Sequence, residues 1–558
     1  MKSNFLIFKY IILLTYIHSL LAIEETATEI EIPYTIKSKN IFELNSYYII
    51  TRINYKFNTQ NIHNYLFGIF LGSNSTNNSN LMPIGIIKSP NDSLIITTTA
   101  IPYKYIHYIP PNNNDISITS LKIFGHNNYI NSSSLNNTYN YFQVTNLPLI
   151  LINTENQKEP IFKEEYIQSK IILINKGQIS LNDTAQIKVR GHSTSVTVKK
   201  PFKIKFDKKQ KILDIEGAFK KWTLLANYYD KSLLRNILAF KLGEIFKLNF
   251  TPRCIPVDLI LNNNFRGNYL ICDQIEVNED RINIEKMSFF DIEEPNITGG
   301  YLLEFDFKIL EEDDTIDNEK SFIFTEKGLV GEIKHPDSKE INNKQNDYII
   351  KFLNIIENNV YNGDISNIDL DSFSKYFLLE EFCGNIDFVL SSFYCYKKRN
   401  INKLYFGPIW DFDLSFDNDE RLIPTNDKND FCLNYGDSAG NLRYFIKNLL
   451  KNKNVMENIN KTWIQIKENG FDLNIIINFI EEKKNLIIES GELNNLKWYN
   501  SIYGKEKEEY LKNVDIVVSY IEKRLDKLTF LINNYNYSDK RLVFNFCFVI
   551  LIFMFLFL

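Results

Sequence analysis

Cysteine and histidine are both scarce, with six of each in 558 residues. So few cysteines exclude a disulfide-dense scaffold. With so few histidines, and neither a His-Glu-x-x-His nor a Cys-x-x-Cys pattern, nothing points to a zinc enzyme. An excess of positive charge is also missing. The 63 Lys and Arg stand against 68 Asp and Glu, a net of −5, so no bulk charge draws this chain to nucleic acid. Apolar residues make up 44% and charged residues 23%, as in ordinary globular proteins. Those fractions exclude a wholly disordered chain, a collagen-like fibre and a polytopic membrane protein. Asparagine and isoleucine are abundant in core-like and loop-like segments alike, which reads as a bias of the gene. At roughly 150 residues per domain the length suggests three or four units.

The two ends differ from the rest. Residues 1–22, MKSNFLIFKYIILLTYIHSLLA, carry an early lysine, an apolar run and a small-residue exit at Leu21-Ala22. This is the pattern of a secretory signal peptide; an uncleaved signal anchor is the alternative. From Leu542 to Leu558 the chain is apolar but for Asn545. With the polar stretch Ser538-Asp539-Lys540-Arg541 before it, residues 534–558 read as a lipid-anchor addition signal, with Asn534, Asn536 or Ser538 as attachment site, or as a short membrane anchor. Both readings put the body in the secretory pathway and then at the cell surface, held to a membrane by its C-terminus. Asn-x-Ser/Thr sequons at Asn74, Asn77, Asn91, Asn131, Asn136, Asn182, Asn249, Asn296, Asn460 and Asn536 agree with that. Of the cysteines outside the tail, Cys254 and Cys272 flank a hairpin-like segment and are the first candidates for a bridge, with two buried thiols as the alternative.

Between the ends the chain reads as α+β. Residues 23–145 hold short alternating runs such as YYIITRINYKF, separated by SNSTNNSN, SPNDS and PPNNN. They predict an antiparallel β domain that serves as a spacer or binding module. A second unit, 146–533, starts with strands. An amphipathic helix interrupts them at KSLLRNILAFKLGEIFKL, with Asp230 as a candidate cap. From about residue 345 the pattern turns helical, at DLDSFSKYFLLEEF, SAGNLRYFIKNLLKN, NIIINFIEEKKNLI and DIVVSYIEKRLDKLTFLI. A sheet-rich lobe followed by a helix-rich lobe leaves a cleft as the natural ligand site.

Four constellations can carry chemistry. In Arg190-Gly191-His192-Ser193-Thr194 and the following KKPFKIKF, a strand puts Lys203 and Lys205 on one face and Phe202, Ile204 and Phe206 on the other. A Gly-Ser/Thr turn ahead of a basic strand suits an anion such as phosphate; a solvated edge strand has the same composition. The segment from Asn227 to Asn236 can aim Arg235 and Asn236 into a cleft, or only start a helix with Asp230. Glu304 and Asp306 share a strand face, fit to pair a lysine or help hold a metal. Asp411 and Asp413, at i and i+2 in FGPIWDFD, can present oxygen ligands to a divalent cation beside phosphates. Asp387, 24 residues before Asp411, is placed to act on a hydroxyl as general base.

The order RGHST…KKPFKIKF, KKWTLLANYYDKSLLRN, NNNFRGNYLICDQIEV, GGYLLEFD, EEFCGNIDF and FGPIWDFD resembles the CotH kinase family. Its members are secreted atypical protein kinases first known as spore-coat proteins, with relatives on fungal cell surfaces. The resemblance covers roughly residues 147–530. It implies a divergent, two-lobed kinase-like fold and transfer of phosphoryl groups from ATP to protein hydroxyls with Mg²⁺ or Mn²⁺. By position it implies Asp387 as catalytic aspartate and Asp411 as the metal-binding aspartate, with Asp413 and Ser392 beside it. Arg190, Ser193, Lys200, Lys203, Arg235, Asn236 and Glu304 are the residues expected around the nucleotide. Two positions depart from the family pattern. His192 stands where asparagine is usual, and Ser392 stands where many members carry an asparagine comparable to the second-metal ligand of conventional kinases. A pseudokinase or a cell-surface adhesin that keeps the fold for binding is therefore the alternative. The expected partner is a protein, as substrate or as surface ligand, and no nucleic acid.

Overall fold

The computed structural model describes residues 29–75, 81–96, 101–127, 141–307, 309, 321–419, 427–435 and 441–535. Both terminal segments, and the sequons at Asn77, Asn131, Asn136 and Asn536, lie outside them. No helix among the described residues is long and apolar enough to cross a membrane. The chain divides into two compact units. One holds the described residues up to Asn153 with Ile172–Asn182 and Ile260–Phe265; the other holds Thr154–Ile171, Asp183–Leu259 and the described residues from Arg266 on.

The first unit is built on an eight-stranded antiparallel sheet. Its strands are Ile30–Ile32 (β1), Tyr34–Ser38 (β2), Ile41–Phe57 (β3), Ile69–Ser73 (β4), Met82–Ile86 (β5), Ser93–Ile95 (β6), Tyr103–Ile109 (β7) and Ile118–Asn127 (β8). The 17-residue β3 is the spine and pairs with β2, β6, β7 and β8. Its alternation sends Ile50, Ile53 and Tyr55 into a core with Phe70, Tyr108 and Ile123. Period-2 patterning with β-branched and aromatic residues on one face is what such a sheet requires.

The chain continues with Leu149–Thr154 (β9), Ile167–Asn175 (β10), Gln178–Val189 (β11), Phe202–Gln210 (β12), Phe219–Leu225 (β13), Cys254–Leu261 (β14) and Asn264–Asp273 (β15). Within the second unit, β12 lies between β11 and β13, and β13 pairs onward to β15, all antiparallel. A second antiparallel sheet runs in the order β17-β18-β16-β19-β20. Its strands are Tyr301–Phe305 (β16), Phe322–Phe324 (β17), Val330–His335 (β18), Phe393–Lys397 (β19) and Tyr405–Phe406 (β20).

Seven α-helices are described: Arg235–Ile245 (α1), Asn343–Tyr361 (α2), Leu370–Cys383 (α3), Leu442–Lys451 (α4), Lys453–Glu468 (α5), Leu473–Trp498 (α6) and Glu506–Asn533 (α7). Eleven residues of the 14-residue α3 are buried, so it is a core helix whose solvent edge is little more than the Asp371–Lys375 ion pair. By contrast α4 has a strong apolar stripe of Leu442, Phe445, Ile446, Leu449 and Leu450. The protein is thus mixed α+β, with helices following antiparallel sheets in the chain.

The proposed Cys254–Cys272 bridge is not formed; both are free thiols. The Cys272 thiol is turned toward β13, where it donates to the Thr223 carbonyl at 3.7 Å.

Candidate active site

The site is assembled around the loop between β11 and β12. On β12, Phe202, Ile204 and Phe206 are buried while Lys203 is half-buried and Lys205 exposed. Register opposes Lys203 to Lys188 on β11 and Lys205 to Lys221 on β13. Burial, and then the cations Lys221, Lys188, Arg190 and Lys334, push the Lys203 ammonium down to about 8. It has no carboxylate in ion-pair range among the described residues. The neighbouring lysines are committed elsewhere. Lys199 is fully buried and donates to the Ala226 carbonyl (2.6 Å), the Asn494 amide oxygen (2.8 Å) and the Asn268 carbonyl. Lys200 donates to the Ser195 carbonyl at 2.6 Å and so fastens the loop onto itself. Gly191, at φ +90°, makes the turn that a side chain would block against Thr194. Ser195 then donates to the His192 carbonyl at 2.6 Å.

Asp230, Arg235 and Asn236 form a buried clamp at the start of α1. Asp230 accepts from the Ser232 and Arg235 amides, both at 2.9 Å, which caps the helix from five residues back. Its carboxylate pairs with the Arg235 guanidinium at 2.5 Å, and neither side chain is exposed to solvent. The guanidinium also donates to the carbonyls of Ser415 (2.8 Å) and Phe416 (3.4 Å). Asn236 accepts from the Phe412 amide at 2.9 Å and donates to Asn227 at 3.1 Å. Arg235 and Asn236, expected at the nucleotide, instead hold the Asp411–Phe416 segment from behind. The reason is that their polar atoms are used up on that backbone and on Asp230, Ser232 and Asn227.

Opposite lies the end of α3. Gly384, at φ +62°, stops the helix by donating to the Glu380 and Glu381 carbonyls, and redirects the chain into Asn385-Ile386-Asp387. Asn385 donates to Glu380 at 2.9 Å and accepts from the Asp387 amide at 3.2 Å. Burial raises the Glu380 carboxyl to about 8, against the opposing hydrogen bonds of Asn385 and Tyr376.

These elements bring Asp387, Asp411, Asp413 and Asp419 to one cleft of about 270 Å³, with Ser193, Thr194, Ser391, Asn385, Tyr229 and Leu414. Asp411 sits at φ +68°, behind Trp410. That indole stacks on Phe240 of α1 (6.0 Å) and lies under the Arg190 guanidinium (5.1 Å). Burial, then the charge and hydrogen bond of Asp411, then Asp230 and Asp387, hold the Asp413 carboxyl well above its usual range. A divalent cation would relieve that repulsion. Among the described residues no group of three or more His, Cys, Asp or Glu is spaced to hold a metal by itself. Two carboxylates beside phosphate oxygens are the donor set that Mg²⁺ takes with a nucleotide, and Asp411 with Asp413 fit it.

Glu304 accepts from the Tyr394 hydroxyl (2.6 Å) and pairs with Lys334 on β18 (3.2 Å). Burial raises its carboxyl, but Lys334, Tyr394 and His192 outweigh that and leave it below its ordinary value. Lys334 had no place in the sequence reading. Asp306 meets the imidazole of His192 at 3.4 Å. Ser392, at φ +58°, does not line the cleft; its neighbour Ser391 does. Asp419 was also missed, although it follows the Asp-Phe-Asp motif in an acidic run.

The family model described as CotH kinase protein matches residues 187–528. The chain belongs to this family. The match covers more than half of the protein and includes every residue of the cleft. No curated protein matches the CotH chain at a significant level.

Proposed function

We propose that this CotH protein is a secreted, membrane-tethered protein kinase that transfers the γ-phosphoryl group of ATP to protein hydroxyls. The observation that carries the reading is the meeting of Asp387, Asp411 and Asp413 with Ser193 and Thr194 in one cleft, from three segments distant in sequence. In this reading a sheet-rich lobe and a helix-rich lobe of the second unit enclose the nucleotide. Ser193, Thr194 and the loop amides face its phosphates, with Arg190 and Lys203 adding positive charge. Asp411 and Asp413 would hold a divalent ion, which would supply charge neutralisation at the phosphates. Asp387 takes the proton of the acceptor hydroxyl as its oxygen bonds to the γ-phosphorus. The bond to the bridging oxygen breaks and ADP leaves.

Titration calorimetry of the purified protein with ATP tests the binding half. Binding should need Mg²⁺ or Mn²⁺ and weaken at least tenfold in Asp411→Asn, since a ligand charge is lost. Absence of ATP binding with either metal would refute the kinase reading and favour an adhesin. The tether rests on residues 534–558, and release by a phosphoinositide-specific phospholipase tests it; protein that stays in the membrane has a spanning anchor instead.

A further inference from the structure

A second pocket of about 210 Å³ shares no lining residue with the catalytic cleft. Its apolar part is formed by Phe250, Ile282 and Phe406, and its polar part by Asn249, Tyr396 and Lys398. Tyr396 and Tyr405 stack in parallel, with centroids 5.2 Å apart. The half-buried Lys398 ammonium stands 4.6 Å above Tyr405 and 5.9 Å from Tyr396. It makes no ion pair among the described residues. The carboxylate felt by both tyrosines, Asp369, already caps α3 through the Ser372 amide at 3.0 Å. Asn249 donates to the Tyr396 hydroxyl at 2.6 Å.

A cation held over two aromatic rings beside an apolar floor, with no carboxylate of its own, is half of a binding interaction. We propose that this pocket binds a small organic anion with an apolar body, its charge on Lys398 and its body against Phe250, Ile282 and Phe406. The pocket adjoins the segment that carries Asp411, the metal-binding aspartate of the proposed kinase. Gly407 and Pro408 line it, and Asp411 follows three residues later. Leu248 and Phe250 line it from just beyond the end of α1, whose first turn clamps Phe412 and Ser415.

Ligand-observed NMR on the full-length protein tests this, with benzoate as probe and benzyl alcohol as its neutral counterpart. Benzoate should bind saturably and about tenfold tighter than the alcohol, the contribution of one charge-assisted contact. Lys398→Met should erase that preference and Lys398→Arg should keep it. Saturating ATP with Mg²⁺ should not displace benzoate, whether or not the protein proves to be a kinase. The proposal is overturned if benzoate binds no better than the alcohol, if Lys398→Met leaves the preference intact, or if ATP competes. A glycan on Asn249, the acceptor of an Asn-Phe-Thr sequon, found by mass spectrometry, would overturn it as well by filling the pocket mouth.

Discussion

Two groups of aspartates stand back to back in the second unit, and they differ in how their charge is met. Asp230, behind the Asp411–Phe416 segment, is buried against Arg235 and accepts two backbone amides and a serine hydroxyl. Asp413, within that segment, is nearly as buried but faces Asp411 and Asp387. The first group holds the fold. The second has its carboxyl driven up by burial and then by like charge, a repulsion that a divalent cation would relieve. The lysines repeat the contrast. Lys199 is fully hydrogen-bonded and structural, while Lys203, four residues on, is half-buried among other cations.

The comparison predicts opposite signs for two aspartate substitutions. Asp230→Ala leaves the Arg235 charge buried and unpaired, and should cost about 3–5 kcal/mol of stability. Asp411→Asn removes one of two like charges and should stabilise the metal-free protein by about 1 kcal/mol. Urea unfolding of both variants checks this, and equal destabilisation would erase the distinction. The lysines follow at smaller scale. Lys199→Met strands three buried acceptors and should cost about 3 kcal/mol. Lys203→Met should leave stability unchanged or slightly raised while weakening ATP binding.

A pH effect arises at the base of the cleft. Glu380 has a folded pKa of about 8 against 4.5 for the ordinary group, so the folded protein holds an extra proton between those values. Its contribution is fully present below about pH 4.5 and is lost as pH rises to about 8. The slope is about 1.4 kcal/mol per pH unit where the proton difference is complete. Glu380→Gln should flatten that decline. An unchanged slope between pH 5 and 8 would mean that Glu380 is ionised in the folded protein.

The segments that meet at the cleft were legible in the sequence because each has a local signature. These are a Gly-Ser/Thr turn before a basic strand, an Asp-Phe-Asp after an aromatic run, and a Gly-Asn-x-Asp at a helix end. The alternation of Phe202, Lys203, Ile204, Lys205 and Phe206 likewise fixed which face of β12 is buried. What local pattern cannot say is which polar groups are already occupied. Arg235 and Lys200 look free in a line of sequence, but their partners, Ser415 and Ser195, are supplied by tertiary packing and by a loop that folds back. Ser391 lines the cleft and Ser392, one residue on at a positive φ, does not, a difference that spacing alone does not carry. Lys334 was invisible because its partner Glu304 meets it only across the β16–β18 register.

The central claim is that Asp387 serves the chemical step while Asp411 serves the metal. The most direct test is transfer of labelled γ-phosphate from ATP with Mg²⁺ to an acceptor protein, or to the protein itself, by wild type and Asp387→Asn, alongside ATP binding by both. The account predicts transfer by wild type, and in Asp387→Asn a loss of at least 100-fold in transfer with ATP affinity kept within about threefold. Transfer that survives in Asp387→Asn, or nucleotide affinity that falls with it, would contradict the assignment.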